Sequence, residues 1–154
     1  MDLSDLIDQK AIMPSLRANS KKQLLQLLAE RAAEMTGLPE REVFDTILQR
    51  ERLGSTGVGN GIAIPHGKLA GVNKITGLFA RLEQPVEFEA LDDQPVDLVF
   101  LLLAPEGAGA DHLKALSRIA RVLRDGDTVA KIRATADPAA IHSFLSETPA
   151  SHAA

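Results

Sequence analysis

Chemistry has few places to reside in this chain. Its 154 residues contain no cysteine and only four histidines, so thiol nucleophiles, disulfides and cysteine-ligated metal centres are excluded. The four imidazoles stand in different settings. His66 follows Pro65, precedes Gly67-Lys68 and closes a stretch, 54–68, that holds five of the chain's eleven glycines. Proline fixes the backbone just ahead of the ring and glycine relieves crowding just after it, which suits an imidazole held rigidly at a surface. A structural turn histidine is the competing reading. His112 occupies the first turn of a helical pattern, on the same side as Leu116, Ile119 and Leu123. The positive end of a helix dipole disfavours protonation there, leaving a neutral ring that donates one N–H and accepts at its other nitrogen. The alternative is a capping or core-edge histidine. His142, beside Ile141, reads as a partly exposed surface residue, and His152 lies in the C-terminal tail.

A rigid nucleophilic imidazole, nearby cations and a loop of small residues with free N–H groups together suit a covalent phosphoryl intermediate. Such a site works through positioning and charge compensation, with little covalent work for other residues. Arg50 is the candidate clamp, because a guanidinium fork matches phosphate oxygens; a surface charge at a helix C-terminus is the other reading. Ser55, Thr56, Gly57, Gly59 and Asn60 are the candidate phosphate-loop residues. Other chemistries fail on the letters. A Walker A loop needs a glycine where Ile62 stands and a serine or threonine where Leu69 stands, and the dinucleotide fingerprint starting at Gly57-Val58-Gly59 also stops at Ile62. No His-Glu-x-x-His occurs and no acid lies close in sequence to His66, so neither a metal site nor a cofactor is expected. Asp92-Asp93 reads as a solvated turn.

Composition narrows the partners. Lys and Arg number 17 against 21 Asp and Glu, a net charge of -4, the wrong sign for affinity built on nucleic-acid phosphates. Aromatic residues make up 3%, with no Trp or Tyr, so base-stacking platforms are also missing. The start, Met1-Asp2-Leu3-Ser4-Asp5, lacks the basic and apolar regions of a signal peptide. The longest apolar run, 98–104, falls far short of the roughly 20 residues of a membrane span. A cytoplasmic protein without membrane insertion is expected.

The elements that must position these residues follow from periodicity. Residues 3–16 mix a short helical turn with an extended stretch closed by Pro14. Ser20 and Gln23 form a capping box ahead of Leu24, Leu27, Leu28, Ala32 and Met35, a helix that ends at Gly37. A second helix opens at Pro39, carries Val43, Phe44, Ile47 and Leu48 inward and stops at Gly54, with Arg50 and Arg52 in its last turn. Strands are expected over 75–82 and 86–90, paired as a hairpin about Gln84-Pro85, and over 96–104, where an almost continuous apolar run predicts a central strand. Asp111 is expected to cap a helix carrying Leu113, Leu116, Ile119, Ala120 and Leu123 and ended by Asp125-Gly126. A short helix near 129–132 and a last one behind Asp137-Pro138 follow. The interleaving predicts an α/β fold: one domain over 1–147, a sandwich whose mixed central β-sheet is covered by helices on both faces, then a fraying tail over 148–154.

The letters from Arg50 to Gly67, Arg-Glu-Arg-Leu-Gly-Ser-Thr-Gly-Val-Gly-Asn-Gly-Ile-Ala-Ile-Pro-His-Gly, closely resemble the active-site signature of enzyme IIA domains of the bacterial phosphotransferase system, in the fructose/mannitol superfamily and nearest to its nitrogen-regulatory members. Gln94-Pro95-Val96-Asp97-Leu98 and Asp111-His112-Leu113 resemble that family too, so the likeness extends across nearly the whole chain. It implies a mixed sheet between helices. It also implies that His66 accepts a phosphoryl group, on the ring nitrogen remote from the backbone, from a small histidine phosphocarrier protein charged from phosphoenolpyruvate through enzyme I. The flanking second histidine and arginine of the family fall on His112 and Arg50. Two roles compete: a transferase component that passes phosphate to a sugar permease, and a regulatory switch acting on targets such as potassium-transport or sensor-kinase components. No permease, membrane span or cysteine-bearing domain stands within these residues, which favours the switch. A non-enzymatic small-molecule binding module is the remaining alternative.

Overall fold

The computed structural model describes residues 2–147, and the expected tail over 148–154 lies outside them. Its centre is the strand that the apolar run announces. Strand β6 (Val96–Pro105) is buried at every position except Asp97 and Pro105, as required of a strand covered on both faces. Around it lies a six-stranded mixed sheet in the order β1-β5-β6-β3-β2, formed by β1 (Ile12–Leu16), β2 (Gly57–Gly59), β3 (Ile62–Ala63) and β5 (Thr76–Val86). The sixth strand, β4 (His66–Leu69), also pairs with β6. β5 lies antiparallel to β6, whereas β3 and β4 run parallel to it one after the other, opposite Leu98-Val99 and then Leu102–Pro105.

Five helices cover the sheet. α1 (Lys21–Thr36) and α2 (Glu40–Arg52) pack on each other and on β5 and β4; α3 (Ala110–Arg124), α4 (Gly126–Arg133) and α5 (Pro138–Ser146) pack in sequence against β6 and β1. Two single-turn 3₁₀ helices, Leu3–Asp5 and Gln9–Ala11, close the N-terminal end against α3 and α5. Among the described residues no helix is long and apolar enough to cross a membrane. Two expected caps form, Ser20 Oγ accepting from the Gln23 amide and Asp137 from Ala139, and Asp125, expected only to end α3, also caps α4 by accepting from Thr128. His142 is partly buried, its Nε2 3.0 Å from the Ile7 carbonyl oxygen, and so ties α5 to the N-terminal segment.

The structure departs from the sequence reading in four places. No turn occurs at Gln84-Pro85: β5 runs through both residues and returns to β6 by a longer loop over 87–95. The register slips between Arg81 and Val86, an irregularity where proline's missing N–H is harmless. The glycine-rich stretch is a compact set of strands rather than an open loop. Asn60 and Gly61, at φ +56° and +80°, make the tight turn between β2 and β3. Helix α3 starts two residues earlier than expected, with Gly109 at its cap, Asp111 inside the first turn and Leu113 facing outward at 69% exposure. Finally, α1 buries Leu25 and Ala29 beside Leu24, Leu28 and Ala32, while Met35 is exposed.

One close approach sets the geometry of the site. A Cβ at Gly67 would stand 2.6 Å from Thr46 Cγ2, so only glycine lets β4 lie directly against α2. Gly67→Ala is expected to lower stability by about 1–3 kcal/mol through overpacking, and adding Thr46→Ser, which removes the obstructing methyl, should restore most of it. Urea denaturation of the single and double variants checks this, and a Gly67→Ala chain as stable as wild type would contradict the close contact.

Candidate functional site

His66 is the first residue of β4, at the point where the chain passes from β3 to β4 beside the central strand. Backbone hydrogen bonds hold this crossing on both sides: Ile64 N–H donates to Thr56 O, and Pro65 O accepts from Leu102 N–H. Side chains alternate along a strand. Gly67 meets α2, and His66 therefore turns toward α3, where His112 lies edge-on with ring centroids 5.6 Å apart. Arg50 reaches the same ring from the last turn of α2. The structure thus brings His66, His112 and Arg50 together at one end of the sheet.

Hydrogen bonds differentiate the two nitrogens of His66. Nδ1 lies 2.9 Å from the carbonyl oxygen of Ile64, an acceptor only, so Nδ1 carries the proton and donates it. Nε2 is then left with its lone pair, and it accepts from Arg50 Nε–H at 3.3 Å. The guanidinium is itself oriented by a second bond, from Nη1 to Gly54 O at 2.9 Å. His112 is buried, and its Nε2 has no hydrogen-bond partner among the described residues. Thr46, Gln49, Arg52, Leu53, Gly67 and Lys68 join these three residues around an open cavity of about 560 Å³.

The electrostatics favour neutral rings. Burial pushes the His66 pKa below its ordinary 6.5, and the Arg50 charge adds to the shift; the bond to Ile64 O and the Glu51 carboxylate oppose it. His112 is lowered as well, by burial first, then by its proximity to His66, which disfavours protonating both rings, and by the Lys68 charge. Among the described residues no group of three or more His, Asp or Glu side chains is placed to hold a metal ion. A neutral imidazole with a free lone pair, beside a tethered guanidinium and a second neutral imidazole, can take an electrophile of high negative charge such as a phosphoryl group.

The five candidate loop residues are placed differently. None of Ser55, Thr56, Gly57, Gly59 and Asn60 lines the cavity, and three of their amides already have partners: Thr56 N–H on Glu51, Gly57 N–H on Ser55 Oγ and Asn60 N–H on Asp92. Gly57 and Gly59 belong to β2. The sequence reading missed Glu51. Its carboxylate, 2% exposed, accepts from Thr56 N–H at 2.8 Å and from the Thr56 hydroxyl, and it pairs with Lys21 Nζ at 3.1 Å. Lys21 also sits 4.5 Å from the centre of the Phe88 ring. A signal was present, because Val43, Ile47 and Glu51 stand at i, i+4 and i+8 on one buried stripe of α2.

The chain matches the family described as "Phosphoenolpyruvate-dependent sugar phosphotransferase system, EIIA 2" over residues 5–148. It is 63% identical over 153 residues to a nitrogen regulatory protein of Bradyrhizobium diazoefficiens, covering 99% of this chain and all of the relative. It is 40% identical over 149 residues to the nitrogen regulatory protein of Escherichia coli, covering 96% and 91% of the two chains. The crystal structure of the nitrogen regulatory protein IIA-Ntr from Neisseria meningitidis superimposes with a TM-score of 0.89 at 34% identity, over 93% of this chain and 98% of that one.

The lowered histidine pKa values have a consequence for stability. Between pH 6.5 and the folded-state values, the unfolded chain takes up protons that the folded rings refuse, so stability falls as pH drops through this window and levels off above 6.5. Urea denaturation at a series of pH values should show that slope, and His66→Gln with His112→Gln should flatten it. An unchanged slope in the double variant would contradict the shifted rings.

Proposed function

The chain belongs to the EIIA 2 family of the phosphoenolpyruvate-dependent sugar phosphotransferase system, within its nitrogen-regulatory type, and on that premise we propose that His66 accepts a phosphoryl group from a histidine phosphocarrier protein. The observation that carries this reading is the 2.9 Å contact of Nδ1 with the Ile64 carbonyl oxygen, an acceptor that requires the proton on Nδ1 and so leaves the lone pair on Nε2, the nitrogen remote from the backbone. In the transfer, that lone pair attacks the phosphorus of the carrier's phosphohistidine in line with the bond that breaks. The new P–Nε2 bond forms as the carrier's P–N bond cleaves, and the carrier imidazole departs with the electron pair.

Each neighbour has a task in this step. Arg50 exchanges its bond to Nε2 for the phosphoryl oxygens, where its charge compensates theirs. The Ile64 carbonyl stabilises the positive charge that the ring acquires, through the Nδ1–H bond it already accepts. Neutral His112, buried and unpartnered at Nε2, donates an N–H to a phosphoryl oxygen. The exchange belongs to the cytoplasm, with the phosphoenolpyruvate that feeds enzyme I and the carrier.

The product serves as a signal. A phosphoryl group adds about -1.5 to -2 charge at pH 7 by analogy with phosphorylated hydroxyl residues, at the mouth of a cavity bordered by Arg50, Arg52, Lys68 and the exposed Leu53. Regulatory partners, of which potassium-transport and sensor-kinase components are candidates, would meet two different surfaces in the bare and charged forms. The nitrogen-regulatory names of the full-length relatives support a switch over a sugar-permease donor.

Intact-mass spectrometry after incubation with phosphoenolpyruvate, enzyme I and the carrier tests the assignment. Wild type should gain one acid-labile phosphoryl group and His66→Ala none. Arg50→Ala should slow acceptance by about 10²-fold and His112→Ala should slow it less, without moving the site. Single phosphorylation persisting in His66→Ala would overturn the acceptor.

A further inference from the structure

We infer that Glu51 is a positioning residue for this phosphoryl transfer, acting through Arg50; the inference rests on the reading of His66 as the acceptor. Glu51 touches none of the reacting groups. Its buried carboxylate instead draws the chain that follows α2 back onto the helix, through the amide and hydroxyl of Thr56. The segment between them, 52–55, becomes a closed loop. At its centre stands Gly54, whose N–H donates to Glu51 O and whose carbonyl is the acceptor that orients Arg50 Nη1. The guanidinium so oriented places Nε on the His66 lone pair. One chain of contacts therefore runs from Glu51 through Thr56, Gly54 and Arg50 to Nε2.

The cost of this arrangement argues that it does more than hold the fold. A carboxylate 2% exposed is expensive to bury unless charge and hydrogen bonds compensate it, and an apolar side chain would continue the Val43–Ile47 stripe without that cost. Lys21 supplies the compensating charge and, over the Phe88 ring, is itself held in place. Ser55 reinforces the loop from the other side, its hydroxyl donating to Phe88 O. Arg50 needs such support because a long flexible side chain loses conformational freedom on being fixed, and a displacement of about 1 Å at a reacting centre can cost on the order of 10²-fold in rate.

The charged groups around His66 are Arg50, Glu51 and Arg52 on α2 and Lys68 on β4, with neutral His112 on α3 beside it. Glu51 acts on the ring electrostatically as well, holding its pKa up against burial and Arg50. The test must therefore separate position from charge. Glu51→Gln removes the charge and places an amide donor against the donors of Thr56 and Lys21; Thr56→Val keeps the charge and removes only the hydroxyl.

Single-turnover transfer from the charged carrier is measured for wild type, Glu51→Gln, Thr56→Val and each combined with Arg50→Ala, alongside solvent exchange of the Arg50 Nε–H by nitrogen-15 NMR. Glu51→Gln is expected to slow transfer about tenfold or more, and Thr56→Val to slow it in the same direction. Arg50 Nε–H should exchange faster in both, while Arg133 Nε–H, bonded to Asp97 and outside this chain of contacts, should be unchanged. Thr56→Val, which keeps the charge, should add no further loss in the Arg50→Ala background, where Glu51→Gln retains only the part of its effect that its charge exerts on the ring. Wild-type rates in the variants, or a Thr56→Val loss that multiplies with Arg50→Ala, would overturn the inference. Should Glu51→Gln not fold, Thr56→Val decides by the same criteria. A wild-type chain that takes no phosphoryl group from a charged carrier would instead overturn the acceptor reading, so the two failures are told apart by the wild-type arm.

Discussion

A carbonyl two residues upstream decides which nitrogen of His66 is free. Ile64 O accepts the Nδ1 proton at 2.9 Å, and a neutral imidazole that donates at one nitrogen must present a lone pair at the other. The strand geometry enforces that contact. β3 and β4 pair with successive stretches of β6, and the chain steps between them through Ile64 and Pro65, both held by backbone bonds to neighbouring segments. Because β6 is buried along nearly its whole length, the step between β3 and β4 is fixed by the core of the protein. The reactive ring thus inherits the rigidity of the central strand, which is the advantage of mounting chemistry on a scaffold instead of a free loop.

Around that ring the structure balances opposing charges. Burial and Arg50 keep His66 neutral and able to react, whereas Glu51 and the Ile64 bond favour the positive ring that a transferred phosphoryl group would create. Helices from both faces of the sheet contribute: α2 brings Arg50 and Glu51, and α3 brings His112 at its first turn. The close contact at Gly67 makes this convergence possible, since any side chain there would drive α2 from β4. A second polar cluster stabilises the neighbouring turn, where Arg133 grips Asp97 through two nitrogens and also reaches Asn60 O. That cluster orders the β2–β3 segment, from which Thr56 O holds Ile64.

Much of this was legible in the letters. The unbroken apolar run that became β6, the caps at Ser20 and Asp137, and the stripe joining His112 to Ile119 and Leu123 each reflect a local rule that tertiary packing leaves intact. His66, Arg50 and His112 could be named because their residue types and settings were distinctive, although only the fold brings them together. The errors have physical reasons. Gln84-Pro85 looked like a turn, yet proline is tolerated where a ladder slips register, and β5 continues through it. The glycines after α2 looked like an open loop, but they form short strands about the hairpin turn Asn60-Gly61, with the Gly57 and Asn60 amides bonded within the protein. Glu51 went unnoticed because a glutamate near a helix end reads as a surface charge, and its burial depends on Lys21 and Thr56 arriving from elsewhere in the chain.

Long-range nitrogen-15 to proton correlation of the His66 ring, recorded on the bare protein at neutral pH and after charging by the carrier, tests the central claim most directly. The account predicts a neutral Nδ1–H tautomer in the bare form and a phosphoryl group on Nε2 in the charged form, with the Nδ1 proton retained. A bare ring protonated at Nε2, or a phosphoryl group on Nδ1, would contradict it.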